Sequence, residues 1–475
     1  MPTISGRHWC AWLLLGQLAW LACAPLSAAD SQPPKVIIKE APAAVARTQT
    51  GVAYEVGGEL TMLQNGEVTR LPMLVKASMS YHDKLLGNDD QAEEGKLSIN
   101  RRYVRHYDTV ETEIKIQDAE FSPQLRDSRQ VIGVWIVDGE RHSFSPAGHL
   151  TRDELDLVET LGDSQLLGLL LPAEPVAVGD SWSIPEAALA LLLDIDAVGQ
   201  TDLQGVLEDL DEQTARIEVR GTVHGAIGGV ATEIEVKARL QFDREKELVT
   251  RMELLTKEKR AIGHVGPGVD AVSKLRLQRL PLQTDGRLTK AIVDTVAFPP
   301  EQELTQLEFE AVNKLHRTIH DRNWHVTGDQ PSVTILRLLR RGELIAQCNI
   351  TPQSARVEGT PTDLESFRDR VHANLGDRFI QFVESSQEKD GPRTVSRVVA
   401  DGKVDELPIR WIYYLIRGEG DAMLSVSFTV EANLIESLGD SDRQLVERIT
   451  LIPQSEPTEA AKQETAGKAK PELNR

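Results

Sequence analysis

Cysteine is nearly absent from this 475-residue chain. There are three, Cys10 and Cys23 in the first 29 residues and Cys348 beyond them. One cysteine forms no intrachain disulfide, so the bulk of the chain must fold by its core alone, as a chain of this length can. Cys348 lies in the segment 344–350, LIAQCNI, which reads as a strand. That makes it a buried, inert thiol; the alternative is a reactive nucleophile. Positive charge is also scarce, with 53 Lys and Arg against 73 Asp and Glu, for a net charge of -20. An acidic balance argues against nucleic acid or an anionic membrane as the main partner, since both attract positive surfaces. Several catalytic motifs are missing as well. There is no Gly-x-Ser-x-Gly elbow, no Ser-x-x-Lys with its partners and no His-Glu-x-x-His. The Gly-rich segment 263–268 lacks the Lys-Ser/Thr of a phosphate loop. His142, Ser143, Ser145 and His149 are close in sequence but lie among hairpin and turn residues.

What is present begins with an address. Residues 1–8 carry Arg7 and His8 and no acid, and residues 9–23 form an apolar run. Small residues follow, with Ser27 and Ala29 fitting positions -3 and -1 of a secretory cleavage site before Asp30. An uncleaved anchor would need a longer run, and Trp20-Leu21-Ala22 is a poor lipoprotein box for Cys23. The expectation is an exported protein, periplasmic or extracellular, with no transmembrane helix in the mature chain.

The remainder divides into a linker at 30–50, a block at 51–290, a linker at 291–301 around Pro299-Pro300, a block at 302–453 and a disordered tail at 454–475. The first block reads as antiparallel β. Between 230 and 242, Val230, Thr232, Ile234, Val236, Ala238, Leu240 and Phe242 alternate with polar residues, which buries one face and wets the other. Asn65-Gly66 and Asp138-Gly139 supply hairpin turns. Helices interrupt only between 151 and 195. Thr151 with Glu154 makes a capping box, Asp163 or Ser164 caps a second helix, and Pro185 starts a third. The second block alternates strands at 333–339, 344–350, 379–384, 394–400, 407–416 and 423–430 with helices at 361–375 and 440–449, and a turn at Asp401-Gly402.

That second block, with Trp324 after a first hairpin and the aromatic strand bearing Trp411, Tyr413 and Tyr414, resembles the PsbP/Mog1-type fold over roughly 150 residues. The resemblance implies accessory or binding work and transfers no site residue. The segment Leu171-Pro172 with 175–182, PVAVGDSW, is similar to one recurring in uncharacterised exported bacterial proteins of planctomycete type. The expected fold class is therefore α+β: an antiparallel β-rich domain, half-barrel or sandwich, followed by a PsbP/Mog1-like α+β domain.

Charge supplies the candidate sites. Residues 153–215 contain fifteen acids and no Lys or Arg. Glu208, Asp209, Asp211 and Glu212 are candidates for Ca²⁺, a hard cation that takes clustered carboxylates, but no Asp-x-Asp-x-Asp-Gly loop exists and the run reads better as a solvated acidic face. His316, His320 and His325 could place two imidazoles on one face for Zn²⁺, although Arg317 and Arg322 would repel a cation. The expectation is a non-enzymatic envelope protein without cofactor, with an apolar small molecule or an envelope protein as partner and no nucleic acid. The alternative is a metal-assisted hydrolase or a Ca²⁺-binding protein using the acidic segment 153–215.

Overall fold

The computed structural model describes residues 34–452 apart from 65, 94–95, 355–362 and 419–421. The expected signal at 1–29 and tail at 454–475 lie outside the described residues. Two very long strands, Arg47–Gln64 and Glu67–Asn88, form the spine of the first block. Their alternation runs unbroken for some twenty residues, which is why a single hairpin extends so far. Thirteen strands join in one antiparallel sheet. Its main path runs Glu140–Phe144, Val131–Val137, Arg101–Ile116, Glu67–Asn88, Arg47–Gln64, Gly268–Pro281, Leu248–Arg260, Val230–Asp243, Thr214–Ile227, Gln204–Leu210, Ser181–Ser183. Thr232, Ile234, Val236, Ala238, Leu240 and Phe242 are buried in register, as the period of two requires. Glu140 on one edge strand and Ser183 on the other line one groove of about 1270 Å³.

Three short helices fill part of the concavity. Thr151 accepts from the Glu154 amide and the Glu154 carboxylate accepts from the Thr151 amide, starting the helix Arg152–Val158. The 3-10 helix Ser164–Leu170 and the helix Glu186–Leu193 follow. The second of these presents Ala188, Leu189, Leu191, Leu192 and Leu193 to the core. Its end is the left-handed Asp194, φ 52°.

A helix deep inside a sheet needs partners for its backbone ends, and arginines supply them. The Asp163 side chain caps the Gln165 amide at 2.9 Å. Arg279 donates to the Ser164 carbonyl and Arg101 to the Gln165 carbonyl. Arg105 donates to Asp83 at 2.7 Å and to Asp163 at 3.0 Å, and lies 4.0 Å over the Tyr81 ring. Tyr103 donates its hydroxyl to Asp163 at 2.6 Å. Burial alone would push the Asp163 carboxyl up, but Arg105 and Arg141 hold it down at about 2.

The second block is a seven-stranded antiparallel sheet, ordered Trp324–Gln330, Val333–Arg340, Glu343–Ser354, Ala422–Glu431, Leu407–Arg417, Arg393–Val404, Phe379–Asp390. The helix Leu364–Leu375 covers one face through Phe367, Val371 and Leu375. The short helices Ile435–Leu438 and Ser441–Glu447 cover the other through Leu438, Leu445 and Val446. Cys348 is buried there, and burial raises its thiol.

The α+β expectation is therefore corrected: the chain is mostly β in both blocks, and a helical PsbP/Mog1-like domain does not describe the second. The strands run longer than their apolar cores suggested. Asp401 and Gly402 lie inside Arg393–Val404 rather than at a turn, because both pair in the ladder, Asp401 with Arg410 and Gly402 with Ile409. The turn comes at Asp405, φ 52°. The expected linkers are packed as well. Within 30–50, Ile38 is 2% exposed, Val36 bridges Val176, Glu40 meets Arg279 and the first strand begins at Arg47. Within 291–301, Val296 packs with Val104, Phe144 and Leu288. Apolar residues scattered in a polar, Pro-rich stretch give no period, so composition masked their burial. The described residues from Lys35 onward form one compact unit.

Candidate functional site

Helix coverage stops partway along the long strands, and the inward face beyond it stays half-exposed. Tyr54, Val56 and Leu60 on one strand stand beside Met73 and Val75 on the next, with Val56 paired to Val75 and Leu60 to Leu71 across the ladder. Val269, Ala271 and Ser273 continue this floor on the neighbouring strand. Together with Leu161, Leu193, Ile227 and Pro267 they line a cleft of about 400 Å³. Asp194, Ile227, Arg260 and Pro267 are shared with a second lobe of about 790 Å³, bounded by the second block through Arg322, Asn323, His325, Leu339, Arg341 and Gly342. Volumes of this size suit a small-molecule ligand.

Acid–base pairs mark the junction of the lobes. Arg152 lies 3.9 Å from Asp156, Arg322 3.4 Å from Glu159 and Arg260 3.3 Å from Glu258. Asp194 sits 3.7 Å from Arg141. The side chains of Asp156 and Asp194 reach solvent, yet the protein around them strips enough water to push both carboxyls up to about 6. Burial lowers the Arg322 guanidinium and Arg152 adds to the effect, against the pull of Glu159. His325, at the same wall, falls to about 4 through burial, Arg152 and His320, so its ring is neutral at pH 7.

The sequence candidates do not converge. Glu208 shares a hydrogen bond with Glu218, which raises its carboxyl. Asp209 pairs with Arg216 at 2.9 Å. Asp211 accepts from the Gln213 and Thr214 amides at 2.8 and 2.7 Å and from the Thr214 hydroxyl, so it shapes a turn, and Glu212 is exposed beside it. His316 and His320 share the inner face of the strand His316–His320, both buried and both lowered by burial. His320 Nδ1 is 2.9 Å from the Asp321 carbonyl. His325 lies on another strand and faces the cleft. Among the described residues no three His, Cys, Asp or Glu side chains are grouped to hold a metal ion. From the sequence, Arg322 reads only as a repeller of cations and neither Arg152 nor Arg341 reads as a site residue, because the three lie apart along the chain.

No family model matches the chain and no curated protein does. Among solved structures, a protein of Bacteroides thetaiotaomicron VPI-5482 is similar at 10% identity and TM-score 0.23, over 31% of this chain and 48% of that one. The chain thus spans about half of it. Cyanobacterial PsbP (CyanoP) of Synechocystis sp. PCC 6803 is similar at 12% identity and TM-score 0.24, over 31% of this chain and 92% of that one. The outer membrane protein opdK of Pseudomonas aeruginosa follows at 8% identity and TM-score 0.12, over 81% and 97%. Likenesses this slight assign neither fold nor function. Among the described residues no helix is long and apolar enough to cross a membrane.

Proposed function

We propose that this chain is an exported envelope protein that binds, without chemistry, a small molecule carrying an acyl-type chain. One observation carries the reading: the inward apolar face of the sheet, Tyr54, Val56, Leu60, Met73 and Val75, remains half-exposed inside a cleft instead of being filled by the helices. An apolar wall kept open in this way gains from burying a hydrocarbon chain, at about 25 cal/mol per Å² of apolar surface removed from water. The export signal read at residues 1–29 supports the envelope setting.

The test is extraction of the purified protein with organic solvent and mass spectrometry of the extract, beside titration with a fluorescent long-chain fatty acid. Co-purified lipid, or saturable binding weakened by Val75→Asp, is the expected result. An empty extract together with no saturable binding would overturn it.

A further inference from the structure

Resting on that reading, the cleft also says what the head of the ligand is. We propose that the larger lobe receives the anionic head, a carboxylate or phosphate, of a long-chain amphiphile, held by Arg341, Arg152 and Arg322.

The lobe reverses the charge of the molecule. Its wall carries Arg152, Arg260, Arg322 and Arg341 against Asp194 and Asp196, in a chain of net charge -20. The arginines are unevenly answered within the protein: Arg260 faces Glu258 at 3.3 Å and Arg322 faces Glu159 at 3.4 Å, and Arg152 is held more loosely. Arg152 reaches the Arg322 carbonyl at 3.1 Å and Asp156 only at 3.9 Å. Besides facing Glu159, Arg322 spends two donors on the Thr305 and Ser143 carbonyls, while standing in the field of Arg152. Two guanidinium groups at one wall of a partly desolvated lobe repel each other, and a bound anion relieves that cost. Guanidinium forks also match carboxylate and phosphate oxygens in pairs. Arg341 is held in place by its backbone: it sits at φ 51° before Gly342, whose main chain abuts that of Gly229. The lobes join at Asp194, Ile227, Arg260 and Pro267, and the apolar floor of the smaller lobe lies beyond them. A head in one lobe therefore leaves its chain in the other.

The test is calorimetric titration of the purified protein with oleate, oleyl phosphate, oleyl alcohol and inorganic phosphate, each below its aggregation concentration. The two anionic amphiphiles should bind about tenfold tighter than the alcohol or more, the scale of one charge-assisted contact. Arg341→Asn, which keeps a residue suited to positive φ, should erase most of that gap, while Arg276→Gln on the outer face should leave it. Equal binding of oleate and oleyl alcohol would overturn the head assignment and leave the binding role standing. Inorganic phosphate binding as tightly as oleyl phosphate would also overturn it, marking a free-anion site. Failure of all four to bind would remove both readings.

Discussion

Gly229 and Gly342 meet backbone to backbone: a side chain on either would collide with the main chain of the other. Both have positive φ, 75° and 80°, and both line the larger lobe. The contact seats a hairpin of the seven-stranded sheet directly on a hairpin of the thirteen-stranded one. Only glycine leaves room for it. Gly229→Ala should lower stability by about 1–3 kcal/mol, the scale of overpacking, with additional strain from the positive φ. Urea unfolding checks the loss, and limited proteolysis should find the 340–343 turn newly cut. An unchanged unfolding midpoint would mean the two sheets are seated by other contacts.

Asp163 answers Arg105, Tyr103 and the Gln165 amide at once in a buried setting. Asp163→Ala leaves the buried Arg105 with Asp83 as its remaining charge partner and strips the Tyr103 hydroxyl and Gln165 amide of an acceptor, a loss of about 1–3 kcal/mol in chemical denaturation. Because the carboxyl is held at about 2, below its usual 3.8, its contribution is complete above about pH 4. It is lost as pH falls through 2, so wild type and variant should converge in strong acid.

Asp194 behaves with the opposite sign. Its carboxyl is raised to about 6 by the surrounding protein, so ionisation opposes folding above pH 6 and ceases to do so as pH falls towards 3.8. Asp194→Asn keeps a residue suited to the left-handed backbone. It should raise the melting temperature at pH 7.5, with the gain shrinking at pH 5. A gain independent of pH would mean that ionisation is not its source.

His316 is fully buried, and neither ring nitrogen has a hydrogen-bond partner among the described residues. Phe309 lies against it at 6.4 Å between ring centres. Burial holds the imidazole below its usual 6.5, against a weaker pull from Asp329. The unfolded chain takes up a proton as pH falls through 6.5 while the folded one resists, so this residue costs stability in acid. His316→Phe should match or exceed wild type at pH 7.5 and lose less between pH 7 and 5, read from thermal melts. A large loss at pH 7.5 would assign the ring a polar role.

Much of the sheet was legible because its signal is local. The alternation at 230–242, the turn at Asp138-Gly139 and the Thr151–Glu154 cap all act between residues near in sequence, and each stands where the chain pattern put it. Strand ends were less legible: Asp401-Gly402 reads as a turn on local chemistry, but pairing with Arg410 and Ile409 on the next strand keeps it extended. The acidic run at 208–212 and the histidines at 316, 320 and 325 drew attention by spacing alone, and the fold used them for a turn, a buried face and one cleft wall.

By itself the sequence determined a period-two chain poor in cysteine and strongly negative in charge, since composition and periodicity are properties of neighbours. Only the tertiary structure decided that the supposed linkers are packed and that the helices stop short of the long strands' outer halves. It alone brought Arg152, Arg322 and Arg341 from three distant segments to one wall. A cleft is made by where packing ends, and nothing in the order of residues along a chain records which apolar side chains will be left without a neighbour.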